Sequence, residues 1–145
     1  KISINNSYKK ADILNDSYNA NFESMVTSLV DLHKISKIKP NLKIVIIIGD
    51  MLELGEKSIE MHLKLIPYIE NINPRCLVLI GKFSKLILGH FKDKLFCKTF
   101  NDTLNLKKEF FKIIKPNDLI FVKGSNGIGL YNFCNYLYNN FKMEN

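Results

Sequence analysis

Lys43-Ile44-Val45-Ile46-Ile47-Ile48-Gly49-Asp50 is the stretch that decides the architecture. Its unbroken β-branched run, with no polar alternation, suits a strand covered on both faces, as a central strand of a parallel sheet is. Upstream, Phe22, Met25, Val26, Leu29, Val30, Leu32 and Ile35 recur at helical spacing, and Pro40 and Asn41 end that helix. Further back, residues 1–4 and 12–14 read as short strands joined by a polar turn over 5–10, an antiparallel edge pair. Downstream, a loop over 49–56 leads to a helix from Ser58 to about Asn71, interrupted near Pro67. A strand over 76–80, a short helix over 83–91, a strand over 95–100 and a helix over 105–114 follow. A strand over 119–122 and a helix over 130–141 close the pattern. Strands alternating with helices predict an α/β domain: a mainly parallel sheet with helices on both faces and an antiparallel edge strand.

The bulk properties narrow the class. A chain of 145 residues has the usual size of one domain, and no repeat or linker divides it. The longest apolar run, residues 44–48, is far too short to span a bilayer, and no secretory signal pattern stands at the start, so a cytoplasmic location is expected. Cys76, Cys97 and Cys134 are odd in number and widely spaced in apolar segments, which argues against a disulfide framework or a metal knuckle. The formal charge of +7 raises the question of a polyanionic partner. The lysines are scattered, however, and Arg75 is the only arginine, so a nucleic-acid face is not expected.

In open parallel sheets, ligands collect outside the carboxyl ends of the strands, which directs attention to the loops that follow them. The first is Asn15-Asp16-Ser17-Tyr18-Asn19-Ala20-Asn21. Asn21 can cap the next helix, and Glu23 suits its positive end, but capping accounts for only one or two of these residues. The functional reading places Asp16 against sugar hydroxyls and Asn19 with the helix start against an anion. The second loop is Gly49-Asp50-Met51-Leu52-Glu53-Leu54-Gly55-Glu56, where Asp50 and Glu53 are candidate ligands for an ammonium group or a magnesium-bound water. Local turns and caps are the plainer alternative there, and His62 reads as a structural residue. The third is Lys123-Gly124-Ser125-Asn126-Gly127, whose lysine and hydroxyl beside glycines suit a carboxylate or phosphate. It is not a nucleotide P-loop. The one other candidate, Gly81-Lys82-Phe83, has Phe83 where a hydroxyl is required and Cys76 where a glycine is required.

Asp16-Ser17-Tyr18-Asn19-Ala20-Asn21, the 49–56 loop with His62, and Lys123-Gly124-Ser125 together, in this order and spacing, resemble the C-terminal domain of the Mur ligases. The likeness covers nearly the whole chain and fits best the branch that adds D-alanyl-D-alanine to a UDP-N-acetylmuramoyl tripeptide. The resemblance implies a Rossmann-like domain of a three-domain enzyme. An N-terminal domain would hold the UDP end, a central P-loop domain would hold ATP and Mg2+, and this domain would close over both. The substrate carboxylate would be activated as an acyl phosphate, which the dipeptide amine attacks. Carried over by motif, Asp16 would contact the ATP ribose, with Tyr18, Asn19 and Asn21 near the phosphates. Asp50, Glu53, Lys123 and Ser125 would face the dipeptide, Ser125 nearest its carboxylate.

The same resemblance implies no catalytic acid or base in this domain, no activity without the two partner domains, a monomeric enzyme and a P-loop domain just before Lys1. A free-standing α/β module binding an amino acid or nucleotide is the alternative. Three departures stand out: Asn15 replaces an acid, Phe22 replaces a proline, and Asn126 stands where an arginine is common. The last puts the pairing of the dipeptide carboxylate in question.

Overall fold

The computed structural model describes residues 2–6 and 9–140. Six strands form one sheet in the order β1-β2-β6-β3-β4-β5. They are β1 (Ile2–Asn6), β2 (Lys9–Asn15), β3 (Lys43–Gly49), β4 (Cys76–Ile80), β5 (Phe96–Phe100) and β6 (Asp118–Lys123). Strand β1 pairs antiparallel with β2, and every other neighbouring pair is parallel. The expected antiparallel edge is therefore present, with longer strands than the sequence suggests. The turn between them and residues Lys1 and Phe141 lie outside the described residues.

The order of strands fixes where the helices go. The connections β2 to β3, β3 to β4 and β4 to β5 all step the same way across the sheet, so right-handed crossovers place their helices on one face. That face carries α1 (Phe22–Ile38), α2 (Ser58–Leu63), α3 (Ile66–Ile72) and α4 (Leu88–Phe91). Its core joins Met25, Leu29 and Leu32 of α1 and Ile69 and Ile72 of α3 to Ile44, Ile46 and Ile48 of β3. The connection from β5 to β6 runs back across the sheet, so α5 (Thr103–Ile113) crosses the other face, where α6 (Leu130–Asn140) joins it. There Val45 and Ile47 meet Leu106, Phe110, Phe133 and Leu137. The apolar run of β3 is thus shared between two cores by simple alternation, which explains why it has no polar face.

Two elements differ from the sequence expectation for identifiable reasons. The helix expected over 58–71 breaks at Lys64 and Leu65 rather than at Pro67 itself. A proline ring clashes with the carbonyl of the residue four before it, here Leu63, the last residue of α2. The segment expected as one helix over 83–91 is a 3-10 turn over Ser84–Ile87 followed by α4. The backbone N–H groups of Phe83 and Ser84 donate to the Asp50 side chain, and this anchors the turn in its tighter form. Strand β5, an edge, is mostly exposed, unlike β3, β4 and β6.

At the amino ends of the strands, the sole arginine ties β4 to β6. Arg75 Nε donates to Asp118 Oδ1 at 2.9 Å, and Nη2 donates to Oδ2 at 2.5 Å and to the Ile113 carbonyl at 3.0 Å. The Asp118 side chain is fully buried, and the Lys115 N–H also donates to it at 2.6 Å. Arg75→Met should therefore cost about 3 kcal/mol, because a buried carboxylate loses its cation. Urea unfolding of the 145-residue chain measures this, and a loss under about 1 kcal/mol would mean that the pair contributes no more than an exposed one.

Burial raises the Cys76 thiol to about 11. The Cys134 thiol is also raised to about 11 by burial, partly opposed by a hydrogen bond with Ser17. Cys97, half-buried on the edge strand, is raised less far. Only thiolates alkylate, so at pH 8 iodoacetamide should modify Cys97 roughly tenfold or more faster than Cys76 and Cys134 in the folded chain. Peptide mapping before and after denaturation reads the difference, and equal rates would contradict it.

Candidate functional site

The carboxyl ends of β2, β6 and β3 lie side by side, and their loops diverge to opposite faces. The loop after β2 enters α1 on one face, whereas the loop after β6 leads to α6 on the other. A crevice opens where connections part in this way. Close backbone approach tightens it. A Cβ on Gly124 would sit 2.9 Å from the Gly49 Cα, and one on Gly49 would sit 2.8 Å from Ile128 Cγ2. The Gly49 backbone cannot give way, so Gly124 requires glycine, whereas a Cβ at Gly49 would force the Ile128 and Leu130 side chains to shift.

Buried polar side chains then fasten the three loops to one another. The Lys123 ammonium, 3% exposed, donates to Asp16 Oδ2 at 2.9 Å, to the Asn19 carbonyl at 3.2 Å and to the Asp16 carbonyl at 3.5 Å. The Ser125 hydroxyl accepts from the Leu52 N–H at 2.8 Å and donates to the Ala20 carbonyl at 3.2 Å. The Ser125 N–H donates to the Asp50 carbonyl at 2.9 Å. Asn15 accepts from both the N–H and the hydroxyl of the buried Ser17, which shapes the start of the first loop.

Asp50 faces inward. Its carboxylate accepts from the N–H groups of Phe83 at 3.0 Å and Ser84 at 2.6 Å and from the Ser84 hydroxyl. Gly81 makes room for it, since a Cβ there would lie 2.5 Å from the Asp50 carboxyl carbon, and the φ of +109° favours glycine as well. His62 stands 3.9 Å away, fully buried, and accepts the Met51 N–H at Nε2 over 2.9 Å while Nδ1–H donates to the Ser58 carbonyl at 2.6 Å. The backbone donor at Nε2 fixes the Nδ1–H tautomer. His62 is therefore a strut, as expected.

Between the loops lies a cleft of about 570 Å³ lined by Tyr18, Asn19, Asn21, Glu53, Ser125 and Asn126, with Leu52 and Gly127 at its edges. Of the eight residues expected to contact ligands, Tyr18, Asn19, Asn21, Glu53 and Ser125 line this cleft. Tyr18 is 73% exposed and meets Tyr131 edge to face at 5.7 Å. Asn21 caps α1, accepting the Ser24 N–H at 2.8 Å, and Asn19 accepts the Ala20 N–H at 2.9 Å. Glu53 holds a φ of +64°, a backbone region uncommon for a side chain of this kind. Asp16 lines an adjoining hollow of about 280 Å³ with Ser28, Asp31 and the apolar Leu32, Ile35 and Phe121. Its side chain is half exposed, and Oδ2 also accepts from the Ser28 hydroxyl at 2.6 Å.

Three of the eight are buried and have internal partners. Asp50 and Lys123 lie beneath the surface with internal partners, and the Ser125 hydroxyl already joins two loops. Ser28 and Ser84 escaped the sequence reading because both sit in segments patterned for helix, and only tertiary approach brings them to Asp16 and Asp50. Ser125→Ala would remove the acceptor of the part-buried Leu52 N–H hydrogen bond, at a cost of about 1 kcal/mol. Chemical unfolding checks it, and a change below about 0.5 kcal/mol would show that water replaces the hydroxyl.

A mainly parallel sheet flanked by helices, with three interlocked loops around a crevice at its carboxyl edge, is a Rossmann-like architecture. The chain belongs to the Mur ligase, glutamate ligase domain family, which it matches over residues 3–126. It is 32% identical over 124 residues to the UDP-N-acetylmuramoyl-tripeptide--D-alanyl-D-alanine ligase of Rickettsia prowazekii, covering 86% of this chain and 27% of that protein. The chain thus spans about a quarter of the length of that curated relative. The fold matches MurF from Acinetobacter baumannii with a TM-score of 0.69 at 23% identity, over 94% of this chain and 29% of that one. It also matches a MurF ligase from Thermotoga maritima, solved in complex with ADP, with a TM-score of 0.66 at 22% identity, over 90% of this chain and 28% of that one.

Proposed function

We propose that this chain is the C-terminal domain of an ATP-dependent ligase that joins D-alanyl-D-alanine to a UDP-N-acetylmuramoyl tripeptide during peptidoglycan synthesis. The observation that carries the reading is the convergence of the three motif loops on one cleft in a chain whose family match spans residues 3–126. The relative from Rickettsia prowazekii bears that activity in its name, and the Thermotoga maritima neighbour was solved with ADP. An N-terminal domain for the UDP end and a central P-loop domain for ATP precede this one in the proposed enzyme, a monomer of the cytoplasm. In this proposal ATP and Mg2+ are held mainly by that central domain.

The reaction forms an acyl phosphate on the tripeptide carboxylate, releasing ADP. The dipeptide amine then attacks the acyl carbon and phosphate leaves. On the way to the amide the acceptor ammonium gives up two protons, one carried off by the leaving phosphate and one passed to solvent, and no group of this domain is assigned to either transfer. Its contribution is placement, which in such reactions supplies much of the rate. The half-exposed Asp16 carboxylate accepts from the ribose hydroxyls, Tyr18, Asn19 and Asn21 border the phosphates, and Glu53 at the cleft rim meets the acceptor amine while it is still an ammonium. Closing of the domain completes the site and excludes water.

The test is a full-length enzyme carrying this domain, supplied with ATP, UDP-N-acetylmuramoyl tripeptide and D-alanyl-D-alanine. Phosphate release should depend on the dipeptide, and the pentapeptide product should appear by mass spectrometry. Asp16→Ala should lower kcat/KM for ATP by about tenfold or more, the loss of one polar contact to a substrate. The 145-residue chain alone should not turn over ATP. Turnover by that fragment, or a full-length enzyme indifferent to D-alanyl-D-alanine, would overturn the reading.

A further inference from the structure

Lys123 reads in sequence as an anion binder for the acceptor, yet its surroundings point elsewhere. The residue is 3% exposed, does not line the cleft, and directs its ammonium at three oxygens of the first loop: Asp16 Oδ2, the Asp16 carbonyl and the Asn19 carbonyl. An ammonium has three protons, and these acceptors account for all of them. A carboxylate arriving in the cleft would have to displace the first loop to reach it. Without Lys123, the Asp16 carboxylate would keep only the Ser28 hydroxyl as a partner at Oδ2, and the Asn19 carbonyl would lose its tie to β6.

We propose that Lys123 is a positioning residue for the nucleotide side of the site: it holds Asp16 and the 16–19 backbone in place and makes no contact with the acceptor. The kinetic part of this inference rests on the ligase reading, whereas the structural part does not. Ser125, one residue past Gly124, does the same for the other two loops through Leu52 and Ala20, so the end of β6 acts as a peg between nucleotide and acceptor walls.

Two measurements decide it. In the full-length enzyme, Lys123→Met should raise KM for ATP about tenfold and leave KM for D-alanyl-D-alanine within about threefold; on an Asp16→Ala background the same change should add almost nothing, because a residue acting through Asp16 has no further effect once Asp16 is gone. A rise in the dipeptide KM alone, equal rises in both, or full additivity with Asp16→Ala would each overturn the proposal. In the 145-residue chain, Lys123→Met should speed amide hydrogen exchange at Ser17 and Ala20 while β3 amides keep their protection. Unchanged exchange in the first loop would equally overturn it. If Lys123→Met does not fold, Lys123→Gln, which keeps a donor, carries both comparisons. An enzyme that ignores D-alanyl-D-alanine would defeat the ligase reading, and the exchange result would still judge the role of Lys123.

Discussion

The near contact of Gly124 with Gly49 is the constraint on which the rest of the site depends. Strands β6 and β3 are neighbours, and where they end their backbones approach until a Cβ on Gly124 would lie 2.9 Å from the Gly49 Cα. That approach lets the Ser125 N–H reach the Asp50 carbonyl at 2.9 Å, which holds the second loop against the third. With these two loops joined, Ser125 can reach both Leu52 and Ala20, and the first loop is drawn in as well. A methyl group at Gly124 would therefore act on all three loops together, although it would touch no ligand.

The polar residues divide by depth. Asp50, His62, Lys123 and Ser125 are all buried, and among the described residues no buried side-chain nitrogen or oxygen lacks a hydrogen-bond partner. Such groups are costly to bury unless satisfied, and here each satisfies a loop amide, a carbonyl or another side chain. The outer set, Asp16, Tyr18, Asn19, Glu53 and Asn126, is exposed. The interior network thus gives the outer residues a fixed frame, which loops of this polarity could not supply for themselves.

Much of this was legible in the sequence, and the part that was not has a common cause. Strands β3, β4 and β6 are buried on both faces, so their apolar runs announce them, and the helical spacing of Met25, Leu29 and Leu32 reports the face of α1 directly. The three loops were also readable, because each follows a strand and is more polar than a cap requires. What the sequence could not convey is direction. Asp50 and Glu53 are two acids in one loop; tertiary contacts with Phe83 and Ser84 turn the first inward, and the left-handed backbone at Glu53 turns the second outward. Lys123 likewise reads as a ligand-facing cation until its three partners in a loop more than a hundred residues earlier are seen.

The departures from the family pattern take on physical meaning in this frame. Asn15, in place of an acid, offers its amide oxygen to the Ser17 N–H and hydroxyl, so the turn keeps its acceptor while Asp16 is spared a like charge next to it. Asn126 has the opposite consequence. With no arginine there, Glu53 is the one acidic or basic side chain among the described residues lining the cleft, and Lys123 is paired with the half-exposed Asp16. In the proposed ligase, Glu53 would face the cationic end of the zwitterionic dipeptide. Its anionic end would then meet the backbone N–H groups of the glycine-rich third loop or a facing domain, since among the described residues lining the cleft no side chain is a cation.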